Sequence, residues 1–252
     1  MNKQVPSAPA DRSVLGISSQ LALVRQQIAQ AAVAAGRAPD SVALLAVSKT
    51  FGADAVIEAV RAGQSAFGEN YIQEGVEKIQ ALRQWLAESA QAALPVLQWH
   101  CIGPIQSNKT RPVAEHFDWV QSVDRLKIAE RLSEQRPADL PPLQICLQVN
   151  IDGGANKSGV APAEALALAA EVIKLPRLVL RGLMTIPEPV TGLDAQVAVH
   201  AKSRALFEEV KAALNQTQFD TLSMGMTSDL AAAVQAGSTM LRVGTAVFGG
   251  RT

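Results

Sequence analysis

The chain has 252 residues, of which 48% are hydrophobic and 18% charged, which excludes a disordered or fibrous protein and allows a sizeable core. Its 23 basic and 23 acidic residues cancel, so no net charge recruits nucleic acid or an anionic membrane. Cys101 and Cys146 lie in apolar runs, which favours reduced, buried thiols over disulfides or a zinc site.

The N-terminal segment has no apolar core of signal-peptide length, and we expect residues 1–13 to form a disordered tail ahead of one domain at 14–252. No run of about 18 apolar residues occurs, so no membrane span is predicted and a cytoplasmic protein is expected. A helix is predicted over about residues 18–35. Eight short apolar runs then follow, at residues 42–49, 65–70, 97–103, 119–124, 143–150, 178–186, 221–226 and 240–248.

The segments between these runs carry helix signals instead of hairpin turns. Ser107 and Asp124 are candidate N-caps, Pro162 suits a first helical turn, and Ser228 with Asp229 is expected to open a further helix. The left-handed residue that often ends a helix is expected at two glycines, Gly63 and Gly237.

Near-continuous apolar strands joined by helices indicate parallel pairing with both sheet faces covered. Eight such units in a chain of this length predict a single α/β domain, a (β/α)8 TIM barrel. The helix at 18–35 would take the place in the outer ring that a helix after the eighth strand otherwise fills. An open, doubly wound sheet remains the alternative, because counting elements cannot show closure.

Lys49 ends the first apolar run, where groups at the C-terminal rim of a barrel carry the chemistry. Burial lowers the pKa of an ammonium from about 10.4 and favours the neutral amine, which is the form that attacks aldehydes. Lys49 is therefore a candidate Schiff-base lysine. A strand-end lysine that reaches out to solvent is the alternative.

The last apolar run supplies a second part of a site. Period-two alternation places Arg242, Gly244 and Ala246 on one strand face, so Arg242 is predicted to point inward. Gly244 and Thr245 follow at the strand end, where such barrels commonly bind phosphate, and the turn at 223–227 adds a second half-site. The glycines could instead serve only tight turns.

Together, a strand-one lysine, a phosphate site after strands seven and eight and an inward arginine meet the needs of pyridoxal 5'-phosphate (PLP). The lysine would take the aldehyde, the phosphate site the phosphate, and the arginine the pyridine nitrogen. A permanently charged arginine keeps that nitrogen unprotonated and weakens the ring as an electron sink. Such a site tolerates only limited carbanion chemistry.

Six stretches carry a family resemblance: LLAVSKTF at 44–51, FGENYIQE at 67–74, WHCIGPIQSNK at 99–109, NKSG at 156–159, RGLMTIP at 181–187 and the segment 222–249. From about residue 14 onward the chain resembles the YggS/PROSC family of PLP homeostasis proteins. The resemblance implies a barrel similar to the alanine racemase N-terminal domain, with PLP bound covalently to Lys49. It also implies a set of further cofactor contacts: the phosphate with Ser223, Gly244 and Thr245, the pyridine nitrogen with Arg242, and the ring with Asn70.

Two positions depart from the family pattern. Thr227 stands where serine is usual and keeps the hydroxyl, and Cys101 stands where the WHxIG motif often has an aromatic or aliphatic residue.

Four further residues have competing interpretations. A function is favoured for Asn70 and a structural role for Glu69, while His100 could be an acid/base or a structural group, and Lys157 a second amine or a solvated surface residue.

PLP racemases need a second acid/base group on the opposite face of the ring, which alanine racemases take from a tyrosine of another domain and subunit. This chain has one tyrosine, Tyr71, and no second domain is predicted. We therefore expect a monomeric PLP carrier without catalytic or metal-binding residues, which passes PLP to apo-enzymes. A low-activity amino-acid racemase is the alternative. A sugar-phosphate isomerase would leave Lys49 and Arg242 without a role.

Overall fold

A computed structural model describes residues 16–89, 94–154 and 157–250. Eight parallel strands form a closed barrel in chain order, and β1 pairs with β8 so that Leu45 lies opposite Arg242. The strands are β1 (Ala43–Val47), β2 (Ala66–Glu69), β3 (Gln98–Cys101), β4 (Trp119–Val123), β5 (Leu143–Val149), β6 (Leu178–Thr185), β7 (Thr221–Ser223) and β8 (Met240–Val243). The predicted closed barrel is confirmed and the open sheet is wrong. The predicted tail lies outside the described residues.

Helices surround the barrel: α1 (Ile17–Ala34), α2 (Ala53–Arg61), α3 (Ile72–Glu88), α4 (Thr110–His116), α5 (Leu126–Gln135), α6 (Pro162–Val172), α7 (Leu193–Leu214), α8 (Leu230–Gln235) and α9 (Thr245–Phe248). α1 packs against α2, α8 and the short α9. It presents Leu21, Val24 and Ile28 to the core. The helix that precedes the first strand therefore completes the outer ring, as predicted.

The last predicted strand was too long. β8 ends at Val243, and residues 245–248 form α9, so Ala246 does not share a strand face with Arg242. Val247 and Phe248 are buried in this helix as they would be in a strand. Periodicity over four apolar residues cannot distinguish a buried helical turn from a buried strand. β7 likewise ends at Ser223, before the predicted limit at residue 226.

Helix starts followed local signals only in part. Asp124 does not cap α5; the N-cap is Arg125, and the Asp124 carboxylate pairs with the Arg125 guanidinium at 2.6 Å. Ser107 begins a 3-10 turn instead of capping it. Pro162 occupies the first turn of α6, as predicted. The two predicted left-handed glycines have φ of +79° at Gly63 and +95° at Gly237.

The barrel interior holds two apolar clusters as well as polar side chains. Leu45, Val47, Ile102 and Met240 form one cluster, and Trp119, Cys146 and Met184 form the other. Burial raises the pKa of the Cys101 and Cys146 thiols to about 12, and both cysteines are free. These thiols are inert core groups, as the sequence predicted.

The structural role of α1 can be tested with two leucines of the same helix. Leu21 is fully buried, whereas Leu23 is 40% exposed. We expect Leu21→Ala to lower the free energy of unfolding by about 3 kcal/mol, because it leaves a cavity between helix and barrel. Leu23→Ala should cost less than about 1 kcal/mol. Equal losses in urea unfolding would contradict the packing of α1 on the barrel.

Candidate functional site

A cavity of about 510 Å³ opens at the C-terminal ends of the strands. Its wall is formed by residues at the C-terminal ends of six strands and in the segments that follow them: Val47, Lys49, Phe51, Asn70, Ile102, Ile186, Met226, Thr227, Ser228, Arg242, Gly244, Thr245 and Gly249. Five of the six predicted site residues lie in this wall: Lys49, Asn70, Arg242, Gly244 and Thr245. Barrel closure therefore brings the segments that follow the first and the last strand to one cavity.

Lys49 lies two residues after the end of β1 and is partly buried in the cavity wall. The chain then turns outward at Thr50, whose φ of +69° lies in the left-handed region. Phe51, the next residue, stacks on Phe248 of α9 with ring centroids 5.2 Å apart. This contact joins the loop after β1 to the segment after β8 and closes one side of the cavity.

Arg242 points into the barrel, as predicted, and is 5% exposed. Its Nη1 donates to Ser223 Oγ and its Nη2 to the Thr185 carbonyl oxygen, each at 2.9 Å. Burial lowers the pKa of Arg242 to about 10, with the Asp229 carboxylate acting in the opposite direction. The guanidinium therefore stays charged at neutral pH and is held rigidly at the cavity wall.

Ser223 lies beneath the cavity instead of in its wall. Its hydroxyl accepts from Arg242 and donates to Gln121 Oε1 at 2.7 Å. Gln121 Nε2 lies 2.9 Å from His100 Nδ1, and because an amide nitrogen only donates, His100 accepts at Nδ1. The phosphate contact that the family resemblance implies for Ser223 is thus not matched by its placement. Gln121, which no sequence signal marked, extends the network that supports Arg242.

His100 ends this network as a structural group. It is fully buried and stacks on Trp119, with ring centroids 5.0 Å apart. Burial lowers the pKa of His100 to about 3, so the imidazole is neutral at physiological pH. The geometry favours the structural alternative for His100 over an acid/base role.

The predicted phosphate end combines two segments. Gly244 and Thr245 come from the start of α9, and Thr227 and Ser228 come from the turn after β7. Thr227 thus supplies a hydroxyl at the position where it departs from the family pattern. The helix predicted to open at Ser228 with Asp229 is present as α8, whose N-cap is Asp229, so that Ser228 lies one residue before the cap. The cavity therefore collects small hydroxyl side chains and a glycine at one end.

Asp229 anchors the turn that carries these hydroxyls. Its Oδ1 accepts from the Met226 backbone N–H at 2.6 Å, and its Oδ2 pairs with His200 Nε2 at 2.9 Å. Although burial acts to raise it, the pKa of Asp229 is lowered overall, because His200 and the Met226 N–H hydrogen-bond to the carboxylate. A turn fixed by an ionised carboxylate is preorganised for a ligand.

Asn70 is one of the residues that line the cavity. Its Oδ1 is buried and has no hydrogen-bond partner among the described residues. A Cβ at Gly103 would lie 2.0 Å from the Asn70 carbonyl oxygen, so only glycine lets the loop after β3 press against this residue. A buried polar atom without a partner in the protein is the kind of group that a bound ligand satisfies.

Lys157 lies outside the cavity wall. Its Nζ pairs with Asp152 at 2.9 Å and Glu188 at 3.1 Å, and it donates to the Ile186 carbonyl oxygen. Although partial burial acts to lower it, the pKa of Lys157 is raised overall by these two carboxylates. A charged, paired ammonium is a poor nucleophile, so Lys157 ties two loops together near the rim.

Neither a metal cluster nor a membrane helix is present in the part of the chain that the structure describes. No group of three or more His, Cys, Asp or Glu side chains there could hold a metal ion. No described helix is long and apolar enough to cross a membrane.

The protein-family model that describes the alanine racemase N-terminal domain matches residues 21–252 of this chain. The pyridoxal phosphate homeostasis protein of Pseudomonas aeruginosa is 56% identical over 93% of this chain and 96% of its own length. That of Escherichia coli is 50% identical over 93% of this chain and 97% of its own length. The chain belongs to the family of pyridoxal phosphate homeostasis proteins.

Solved structures agree with this family assignment. PipY of Synechococcus elongatus, solved with PLP bound, is 37% identical, with a TM-score of 0.77 over 92% of this chain and 100% of its own. Alanine racemase from Corynebacterium glutamicum is 15% identical, with a TM-score of 0.63 over 92% of this chain and 60% of its own. The second likeness shows the fold alone, which is the barrel fold that the sequence predicted.

The neutral, buried state of His100 predicts a loss of stability in acid. Its pKa is about 3 in the fold against an ordinary 6.5, so its contribution is complete above pH 6.5 and lost as the pH falls toward 3. From about pH 7.5 to about pH 5 this one group should cost about 2 kcal/mol of unfolding free energy. We expect His100→Gln to be less pH-dependent than wild type by that amount in urea unfolding. An unchanged pH dependence would contradict a neutral imidazole.

Proposed function

We propose that this chain binds PLP in the cavity, holds it as a Schiff base on Lys49 and serves PLP homeostasis without catalytic turnover. The observation that carries the proposal is the meeting of Lys49, Arg242, Gly244 and Thr245 in one cavity. These residues come from the first and the last strand and the segments after them, and barrel closure places them where one ligand can contact them all. The names of the relatives and the PLP bound in PipY support the same ligand.

The wall residues match the parts of PLP in turn. The Lys49 amine would condense with the aldehyde and release one water molecule. The hydroxyls of Thr227, Ser228 and Thr245 and the backbone at Gly244 would hold the phosphate. The unpartnered Asn70 Oδ1 and the apolar wall would lie along the ring. PLP itself supplies a reactive aldehyde and a ring that accepts electrons.

Arg242 decides how far that electron acceptance goes. A guanidinium that is charged at neutral pH would hold the pyridine nitrogen unprotonated, because Arg242 can donate a hydrogen bond but gives up no proton there. Its two bonds to Ser223 and Thr185 keep it from turning away. An unprotonated ring stabilises a carbanion poorly, which favours storage of the cofactor over catalysis.

A second acid/base group is also missing from the described wall. The residues that line the cavity include neither tyrosine nor histidine. Tyr71 is 55% exposed and lies outside the wall, and His100 is buried beneath it. The racemase alternative therefore lacks its second group. The role we propose is that of a cytoplasmic, monomeric carrier that limits free aldehyde and delivers PLP to apo-enzymes.

Covalent binding is tested by Lys49→Ala. We expect wild-type protein incubated with PLP to develop a visible imine band and, after borohydride, to carry the added mass on Lys49. Lys49→Ala should lose both signals because no other amine lines the cavity among the described residues. Lys174→Ala is the matched control, since Lys174 is 64% exposed in its side chain and, among the described residues, pairs with Glu171 alone. A colourless wild-type protein would refute the proposal.

The absence of turnover is tested with single enantiomers of alanine and serine. We expect holo-protein to produce the opposite enantiomer no faster than free PLP does, since the wall offers no second proton donor. Chiral chromatography measures the product. Sustained racemisation that disappears in Lys49→Ala would make the protein an enzyme and contradict the carrier role.

A further inference from the structure

A second buried lysine, Lys78, lies outside the cavity wall. Lys78 of α3 is 5% exposed, and its Nζ makes three short contacts. It donates to the Ser48 carbonyl oxygen at 2.7 Å and pairs with Glu69 Oε1 at 2.8 Å and Glu74 Oε1 at 2.7 Å. One ammonium thus joins β2, α3 and the end of β1.

The two carboxylates extend this contact to both neighbours of Lys49. Ser48 Oγ donates to Glu69 Oε1 at 2.6 Å, and the Thr50 backbone N–H donates to Glu74 Oε1 at 2.6 Å. Before Lys49, Lys78 therefore holds the backbone of Ser48 and Glu69 holds its hydroxyl; after Lys49, Glu74 holds the backbone of Thr50. We call Glu69, Glu74 and Lys78 the clamp.

The backbone that the clamp holds is strained. Thr50 has φ of +69°, a conformation that β-branched residues rarely adopt. Such a conformation persists only where surrounding contacts hold it, and it is often found at functional sites. Glu74 provides the contact at Thr50, because its carboxylate accepts from the N–H of this residue.

The composition of the clamp argues against a purely stabilising ion pair. Burial raises the pKa of Glu69 despite the facing Lys78, and Glu69 Oε2 has no hydrogen-bond partner among the described residues. A buried ion pair with an unsatisfied atom is weak evidence for stability. Neither α3 nor any residue of the clamp contributes to the described cavity wall, so the clamp acts on the cavity through the backbone around Lys49 and beside Asn70.

We propose that Glu69, Glu74 and Lys78 are positioning residues that hold the backbone on both sides of Lys49 and thereby aim its amine at the aldehyde of PLP. The proposal rests on the proposed function and goes further, because it assigns the orientation of the lysine to residues of α3 and β2. Because Lys78 and Glu74 lie outside the cavity wall and far from the predicted phosphate end, we expect their loss to displace Lys49 more than the groups at that end. Imine formation should therefore suffer while binding without an imine persists.

The test compares how the full chain, before PLP is added, reacts with PLP and how it binds pyridoxine 5'-phosphate. PLP forms an imine, whereas pyridoxine 5'-phosphate has an alcohol in place of the aldehyde and can only bind. We expect Lys78→Met, which keeps the side-chain length without the charge, to slow imine formation about tenfold in stopped-flow absorbance, since small misplacements of a reacting group have large effects on rate. Its affinity for pyridoxine 5'-phosphate in titration calorimetry should stay within about twofold of wild type.

Two variants of α3 keep the test decisive if Lys78→Met does not fold. Glu74→Ala removes the acceptor of the Thr50 N–H and should slow imine formation in the same way, although less. Glu77→Ala is the matched control, because Glu77 is exposed and bonds only to Gln73 in the described structure. Equal loss of affinity for both ligands would reduce the clamp to general structural support and overturn the proposal, as would imine formation at the wild-type rate. Wild-type protein that forms no imine would refute the proposed function itself.

Discussion

The pairing of β1 with β8 is the constraint on which this structure depends. The register that places Leu45 opposite Arg242 closes the barrel and brings the ends of the first and last strands side by side. Lys49 and Gly244 each follow one of these strands and therefore meet at one rim. α1 and α9 pack outside the same seam, so the helix that precedes the first strand helps to hold the site together.

The charge of Arg242 is kept inside the barrel by neutral partners. A serine hydroxyl and a backbone carbonyl take two of its donors, and Gln121 and His100 continue the chain of hydrogen bonds. Because Gln121 donates to His100, the donor and the acceptor of every hydrogen bond in this network are defined. A buried network of this kind fixes geometry well, since each member has only one arrangement that satisfies its neighbours.

The site thus has two supports of different character. On the inner side, neutral hydrogen bonds hold the arginine. On the outer side, the clamp of Glu69, Glu74 and Lys78 holds the backbone around Lys49 with charged groups.

The sequence by itself determined the eight strands and their parallel order, and five of the six site residues that it predicted lie in the cavity wall, because apolar periodicity and strand-end position are local properties. It missed the helix at 245–248, because a short apolar run fits a buried helical turn as well as a strand, and it placed the N-cap of α5 one residue too early. Only the tertiary structure decided that Ser223 lies beneath the cavity, that His100 is neutral and that Lys78 reaches Ser48. These facts depend on contacts between residues far apart in the chain, and no local pattern encodes which distant partner a buried polar group will meet.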